Sequence, residues 1–225
     1  MDRDGVLARR LATQRLSGPP AADPMQVVRE LLAVQSQDAP LARAMVAQRC
    51  VAGSVAAVEA AVAAGDLIRT HILRPTWHYV AAADLRWLLD LTSPPPGAPM
   101  GARERQLGID HALVDRALAA LTERLSGRRF AARAALGDAL VAAGVLDRGD
   151  PLLGQQVGHL LGFAEFRAVV CSAPVETTVH HYALVDEVVP PAPPRRREDA
   201  LAELVERFVA GHGPVAIREL QRWTR

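Results

Sequence analysis

Apolar positions recur at helical spacing along most of the chain, and the places where that spacing breaks define its organisation. Between Asp23 and Gly65 the pattern gives three helices. Asp23 and Pro24 supply an N-cap and a first helical position, and Met25, Val28, Leu31 and Leu32 follow at helical spacing. Pro40 opens a second helix through Leu41 and Met45 that ends by Gly53. Ser54 caps "SVAAVEAAVAAG", and Gly65 stops it. The period then changes. "DLIRT" and "WHYVA" read as two short strands bracketing "HILRPT", where Pro75 excludes helix and biases Arg74 towards an extended backbone.

The same order then recurs. "DHALVDRALAALTERLSG", "FAARAALGDALVAAG" and "GQQVGHLLGFAEFRA" read as three further helices, and "VVCSA" with "HHYALVD" as a second hairpin around "PVETTV". Three helices followed by a hairpin is the order of a winged helix-turn-helix. Its repetition predicts an α+β fold, mainly α with small β-hairpins, built as tandem winged helix-turn-helix units. The expected division is an N-terminal helix and first winged helix over residues 1–92, then a Pro/Gly-rich linker over 93–109 that contains "SPPPGAP". A second winged helix follows over 110–189, and a linker with an incomplete third winged helix over 190–225.

Composition narrows this picture only a little. At 225 residues, 50% hydrophobic and 23% charged, the chain can bury a substantial core. Every basic residue is an arginine, and a net charge of +1 neither requires nor excludes nucleic acid. No apolar run reaches the roughly 18 residues of a membrane helix, and "MDRDGVLARR" lacks the apolar centre of a signal peptide, so the expected location is the cytoplasm. Cys50 and Cys171 carry no C-x-x-C spacing and read as reduced thiols. His71, His78, His180 and His181 show no zinc spacing, and no phosphate-binding glycine loop is present, so the residues point to no metal or cofactor site.

Candidate chemistry sits in two places. The first hairpin, "RTHILRPTWHYV", gathers Arg69, Thr70, His71, Arg74, Trp77 and His78 within ten residues. Arginine pairs with phosphate or enters a minor groove, and Trp and His stack or wedge against bases. Trp77 keeps a second reading, as a strand residue filling core. The third helix of the first unit offers no Arg, Asn or Gln to read a base edge, so this arrangement suits shape reading over sequence reading. The other place is "LLAVQSQDAP", with Gln35 and Gln37 one residue apart at a helix end. Asp38 beside them reads as the cap of the helix opened by Pro40.

"LLAVQSQDAPLARAMVAQR", "GDLIRTHILRPTWHYVAAADLRWLL", "GHLLGFAEFRAVVCSAP" and "HGPVAIRELQRW" resemble the winged-helix DNA-binding family of the AlkZ/YcaQ-type DNA glycosylases, which is related to azinomycin resistance. The resemblance runs over almost the whole chain. It implies tandem winged helices forming a concave basic surface for double-stranded DNA, with Arg43, Arg69, Thr70, His71, Arg74 and Trp77 as DNA contacts. It also implies hydrolysis of the N-glycosidic bond of alkylated, N7-substituted purines, including crosslinks, without metal or organic cofactor. Family members are usually longer, with a completed third winged helix and a β-rich C-terminal part, so against them the chain reads as truncated at its C-terminus.

In AlkZ-like members a Gln-x-Gln motif is catalytic, and Gln35 and Gln37 fall on it. The middle position is typically aliphatic; Ser36 departs from that. An amide does not titrate, so these two side chains are restricted to positioning a water beside the sugar C1′. That suffices only for a base already cationic and poised to leave. Two readings stay open at this point: a monofunctional DNA glycosylase, and a non-catalytic winged-helix DNA-binding or regulatory protein.

Overall fold

The computed structural model describes residues 2–73, 76–175 and 179–224. Helix α1 (Arg3–Thr13) precedes α2 (Pro24–Leu31), strand β1 (Val34–Gln35), α3 (Ala39–Ala47), α4 (Val55–Ala63) and strands β2 (Leu67–Ile72) and β3 (Thr76–Ala81). After α5 (Ala82–Thr92) and the short α6 (Ala102–Gln106), the same order returns. It runs as α7 (His111–Leu125), β4 (Ala131–Ala132), α8 (Arg133–Ala142), α9 (Leu153–Phe166), β5 (Val170–Ser172) and β6 (His181–Leu184). The short α10 (Val185–Val188) leads to α11 (Arg197–His212) and α12 (Ile217–Thr224). The chain is thus mainly helical with small antiparallel hairpins, as its periodicity predicts.

Local chemistry explains where the helices start. Asp23, Asp38, Ser54 and Asp110 each accept a hydrogen bond from the backbone amide three residues on, at 2.7, 2.9, 3.3 and 2.7 Å. Each cap satisfies one of the orphan amides of a first helical turn. Gly65, at φ 78°, closes the turn after α4. Helix α3 stops at Ala47, well before Gly53, because the chain there turns to bond residue 21.

Each unit carries a three-stranded sheet, ordered β1-β3-β2 in the first and β4-β6-β5 in the second. Val34 lies opposite Tyr79 and Gln35 opposite His78; Ala131 lies opposite Tyr182 and Ala132 opposite His181. The two sheets therefore correspond position by position, with Ala132 standing where the first unit has Gln35. The short strands β1 and β4 extend each expected hairpin into a three-stranded sheet.

The first sheet is covered on both faces. Val34, Leu67 and Tyr79 pack with Val27, Val46 and Val58 of the helices before them. The alternating residues Ile68, Ile72 and Val80 pack instead with Leu85 and Leu88 of α5, Leu204 and Phe208 of α11, and Leu220 of α12. Period-two alternation separates the two sets. The second unit has its own core around Leu121, Leu136, Leu160 and Tyr182, and this core takes in Leu107 and Ile109 from the stretch expected as linker.

Helices α11 and α12, expected to begin a third unit, are docked on the first. Arg207 of α11 grips both Asp84 oxygens at 2.8 Å and the Arg29 carbonyl at 2.6 Å, and the Trp87 indole donates to Asp84 at 3.0 Å. Charge-assisted, bidentate pairing of this kind fixes orientation as well as distance. Burial of Leu204 and Phe208 adds about 1.5–3 kcal/mol each. Contact is closest at Gly211, where an added Cβ would meet the Glu30 carbonyl oxygen at 2.5 Å and the Leu31 Cα at 3.2 Å. Gly211→Ala should therefore lower unfolding stability by about 1–3 kcal/mol, through displacement of α11 from α2. Urea unfolding measures it, and a variant as stable as wild type would show that the two helices do not pack this tightly.

Candidate active site

The two candidate amides owe their placement to a turn. Leu32 follows α2 at φ 66° and ψ −47°, and the Ala33 amide donates to the Leu31 carbonyl at 2.8 Å. This is a γ-turn, a strained arrangement for leucine. The Leu32 side chain is fully buried in the core shared with α5 and α11, which holds the turn in place. Helix α2 therefore ends at Leu31, and Gln35 belongs to a strand, not to a helix end as the sequence suggests.

Strand alternation does the rest. Gln35 and Gln37 are exposed, whereas Ser36 between them is fully buried. The Ser36 amide donates to the Trp77 carbonyl at 2.7 Å, extending the pairing of β1 with β3. Gln37 Oε1 accepts from the Trp77 amide at 3.4 Å, which leaves the Gln37 amino group facing outward. No hydrogen bond among the described residues occupies the Gln35 amide. Asp38 is the cap of α3, as its position suggests.

Behind this strand the groups expected to contact DNA are bound to one another. Arg69 donates to the Ser36 carbonyl from Nε at 3.0 Å and from Nη2 at 2.9 Å, and its guanidinium lies 4.1 Å from the centre of the Trp77 ring. Burial holds its pKa below the ordinary arginine value, but an arginine stays charged. The His71 ring lies 4.2 Å from that of Trp77, so Trp77 is enclosed by Arg69 and His71 and packs on the second unit's core. The core reading of Trp77 is the one its surroundings match. Thr70 has none of its surface exposed and cannot touch DNA. Arg43 is partly exposed, with Nε 3.3 Å from Glu59. Arg74 lies outside the described residues.

The anchor of this network is a residue the sequence reading passed over. Glu165 of α9 is completely buried, and its carboxylate faces His71 Nδ1 at 2.5 Å, the Thr70 hydroxyl at 3.3 Å and the His71 amide at 3.4 Å. Burial raises its pKa, against the lowering effect of His71. An isolated acid on the apolar face of "GHLLGFAEF" was the available signal. The described part of the first hairpin lies against the second unit, with Ile72 and Leu73 buried and His71, Thr76 and Trp77 partly exposed. The hydroxyl of Ser172 in β5 donates to the Arg69 carbonyl across the same boundary.

His180 completes the cluster. Arg69 Nη1 lies 3.4 Å from its Nδ1, and arginine only donates, so the neutral ring carries its proton on Nε2. That Nε2 is buried with no hydrogen-bond partner among the described residues. Burial first, then Arg69 and the neighbouring histidines, push the His180 pKa down to about 3.

Residues 28–225 match the model of the DNA glycosylase AlkZ-like family. The chain belongs to that family. Among solved structures, Streptomyces sahachiroi DNA glycosylase AlkZ is similar in fold to this AlkZ-like chain, with a TM-score of 0.79 at 23% sequence identity over 97% of the chain. The match covers 59% of the length of that AlkZ. No curated protein matches the chain in sequence. No helix among the described residues is long and apolar enough to cross a membrane.

Two expectations follow from this geometry. The buried Ser36 hydroxyl has no hydrogen-bond partner among the described residues, so Ser36→Ala should raise stability by about 1 kcal/mol. A lower urea midpoint in the variant would contradict that placement. His180 concerns acid stability: the folded state keeps it neutral to about pH 3, while the unfolded ring protonates near its ordinary 6.5. Its contribution is thus fully present above pH 6.5 and is lost as pH falls towards 3, at up to about 1.4 kcal/mol per pH unit. His180→Phe should show a shallower loss of stability between pH 7.5 and 5; an unchanged slope would exclude His180 as the titrating group.

Proposed function

We propose that this AlkZ-like chain is a DNA glycosylase that binds duplex DNA through tandem winged-helix units and hydrolyses the N-glycosidic bond of N7-alkylated purines. The observation that carries this reading is the pair of exposed amides, Gln35 at the end of β1 and Gln37 just beyond it, with Ser36 between them turned inward. Gln35 offers both its carbonyl and its amino group, and Gln37 offers its amino group; together they hold a water against the sugar. The water oxygen bonds to C1′ as the C1′–N9 bond breaks. Its electron pair passes to the purine ring and cancels the charge of the alkylated base, while a water proton goes to solvent. No group needs to protonate the leaving base, so two groups that do not titrate are enough.

The duplication supports one reactive site in the described chain. At the corresponding place in the second sheet, Ala132 faces His181 where Gln35 faces His78. His78 and His181 keep the same local bond, each ring Nδ1 lying near the carbonyl two residues back, at 3.0 and 2.8 Å. The frame repeats while the amide chemistry does not. Arg69 adds positive charge behind the motif through its bonds to the Ser36 and Gln37 carbonyls, while Arg43 stands partly exposed beside Glu59.

The test is incubation with duplex DNA carrying N7-methylguanine, with abasic sites counted under single-turnover conditions. Wild type should release the alkylated base and leave normal guanine in place, and Gln37→Ala should be slower by about 100-fold. Absence of abasic sites above the spontaneous rate would sink the enzyme reading, and equal rates for the two proteins would sink the role of Gln37.

A further inference from the structure

We infer that Arg69 is a positioning residue for the Gln35–Gln37 strand, whose work is to hold the two amides in register and not to bind phosphate. This rests on the glycosylase reading above. The guanidinium has five N–H donors in a rigid fork, and their use can be followed. Nε and Nη2 converge on the Ser36 carbonyl, Nη2 also reaches the Gln37 carbonyl at 3.4 Å, and Nη1 faces His180. Arg69 therefore grips the backbone of both residues that follow Gln35 in the motif.

The grip lies where the strand most needs one. Strand β1 is two residues long and pairs with β3 only through Val34 and Gln35, plus the Ser36 amide. Beyond that point the carbonyls of Ser36 and Gln37 would be left to water, and the Gln37 side chain would be held by the Trp77 amide alone. Arg69 instead ties them to β2, on the far side of β3. Its own position is set partly from the second unit, where the Ser172 hydroxyl holds its carbonyl and His180 Nδ1 faces its Nη1, and partly by Trp77 of β3, whose ring lies under its guanidinium. The second unit thus reaches the amides through one guanidinium, without itself carrying an amide at the equivalent strand.

Lysine in this place would keep the charge and lose the fork, which separates the proposal from a general electrostatic role. With the full chain and N7-methylguanine duplex, Arg69→Lys and Arg69→Ala should both lose about 10–100-fold in single-turnover rate, while duplex affinity stays within about twofold of wild type. In the same samples, amide hydrogen exchange over residues 34–38 should speed up, and exchange over residues 181–184 should remain as in wild type. An Arg69→Lys variant with wild-type rate and wild-type exchange overturns the proposal. So does a variant whose loss lies in duplex affinity with exchange unchanged, which would return Arg69 to the DNA surface. If wild type itself releases no base, the glycosylase reading has failed; the exchange measurement then decides separately whether Arg69 holds the strand.

Discussion

A carboxylate with no exposed surface is costly to bury, by several kcal/mol, unless its neighbours answer its charge and fill its lone pairs. Glu165 is such a group, and everything around the candidate active site is arranged by how it is answered. Its partners, His71 and Thr70, come from a strand nearly a hundred residues earlier in the chain. The pairing binds α9 of the second unit to β2 of the first. With β2 fixed in that way, Arg69 and, beside it on β3, Trp77 are held against the second unit, and the motif is backed by the Arg69 guanidinium.

That chain of dependence accounts for the difference between a wing and what the first hairpin is. A hairpin with one covered face can offer its other face to a groove. Here the two faces are occupied by different cores, one from α2, α3 and α4 and the other from α5, α11 and α12. Arg69, His71 and Trp77, which give the hairpin its DNA-binding look, lie at the boundary between units. The glutamines are left as the polar groups that point away from it.

Much of this was legible in the amino-acid order and some was not. Caps at Asp23, Asp38, Ser54 and Asp110 and the stop at Gly65 are local, so spacing and side-chain chemistry reveal them. The repeated plan was legible for the same reason, since each unit repeats its periodicities. Strands β1 and β4 were not, because two residues carry no detectable period; the amides therefore read as a helix end. The fate of Arg69, Thr70 and Trp77 depends on a glutamate in another unit, and no local pattern encodes that partner. The docking of α11 against α2 was hidden likewise, its signal being a single glycine, Gly211, at the contact.

The γ-turn at Leu32 has a consequence for how this stretch tolerates change in length. Side chains on a strand alternate with a period of two, so the number of residues between the turn and the motif works as a parity. With the present count, the serine is inward and both amides are outward. One residue more or fewer would invert the assignment, sending two amides into the core and the serine to the surface, whereas two residues would preserve it. The buried leucine at φ 66° is what fixes the starting phase. Which side chains meet solvent is in this sense decided by counting from that leucine, before the chemistry of the motif enters at all.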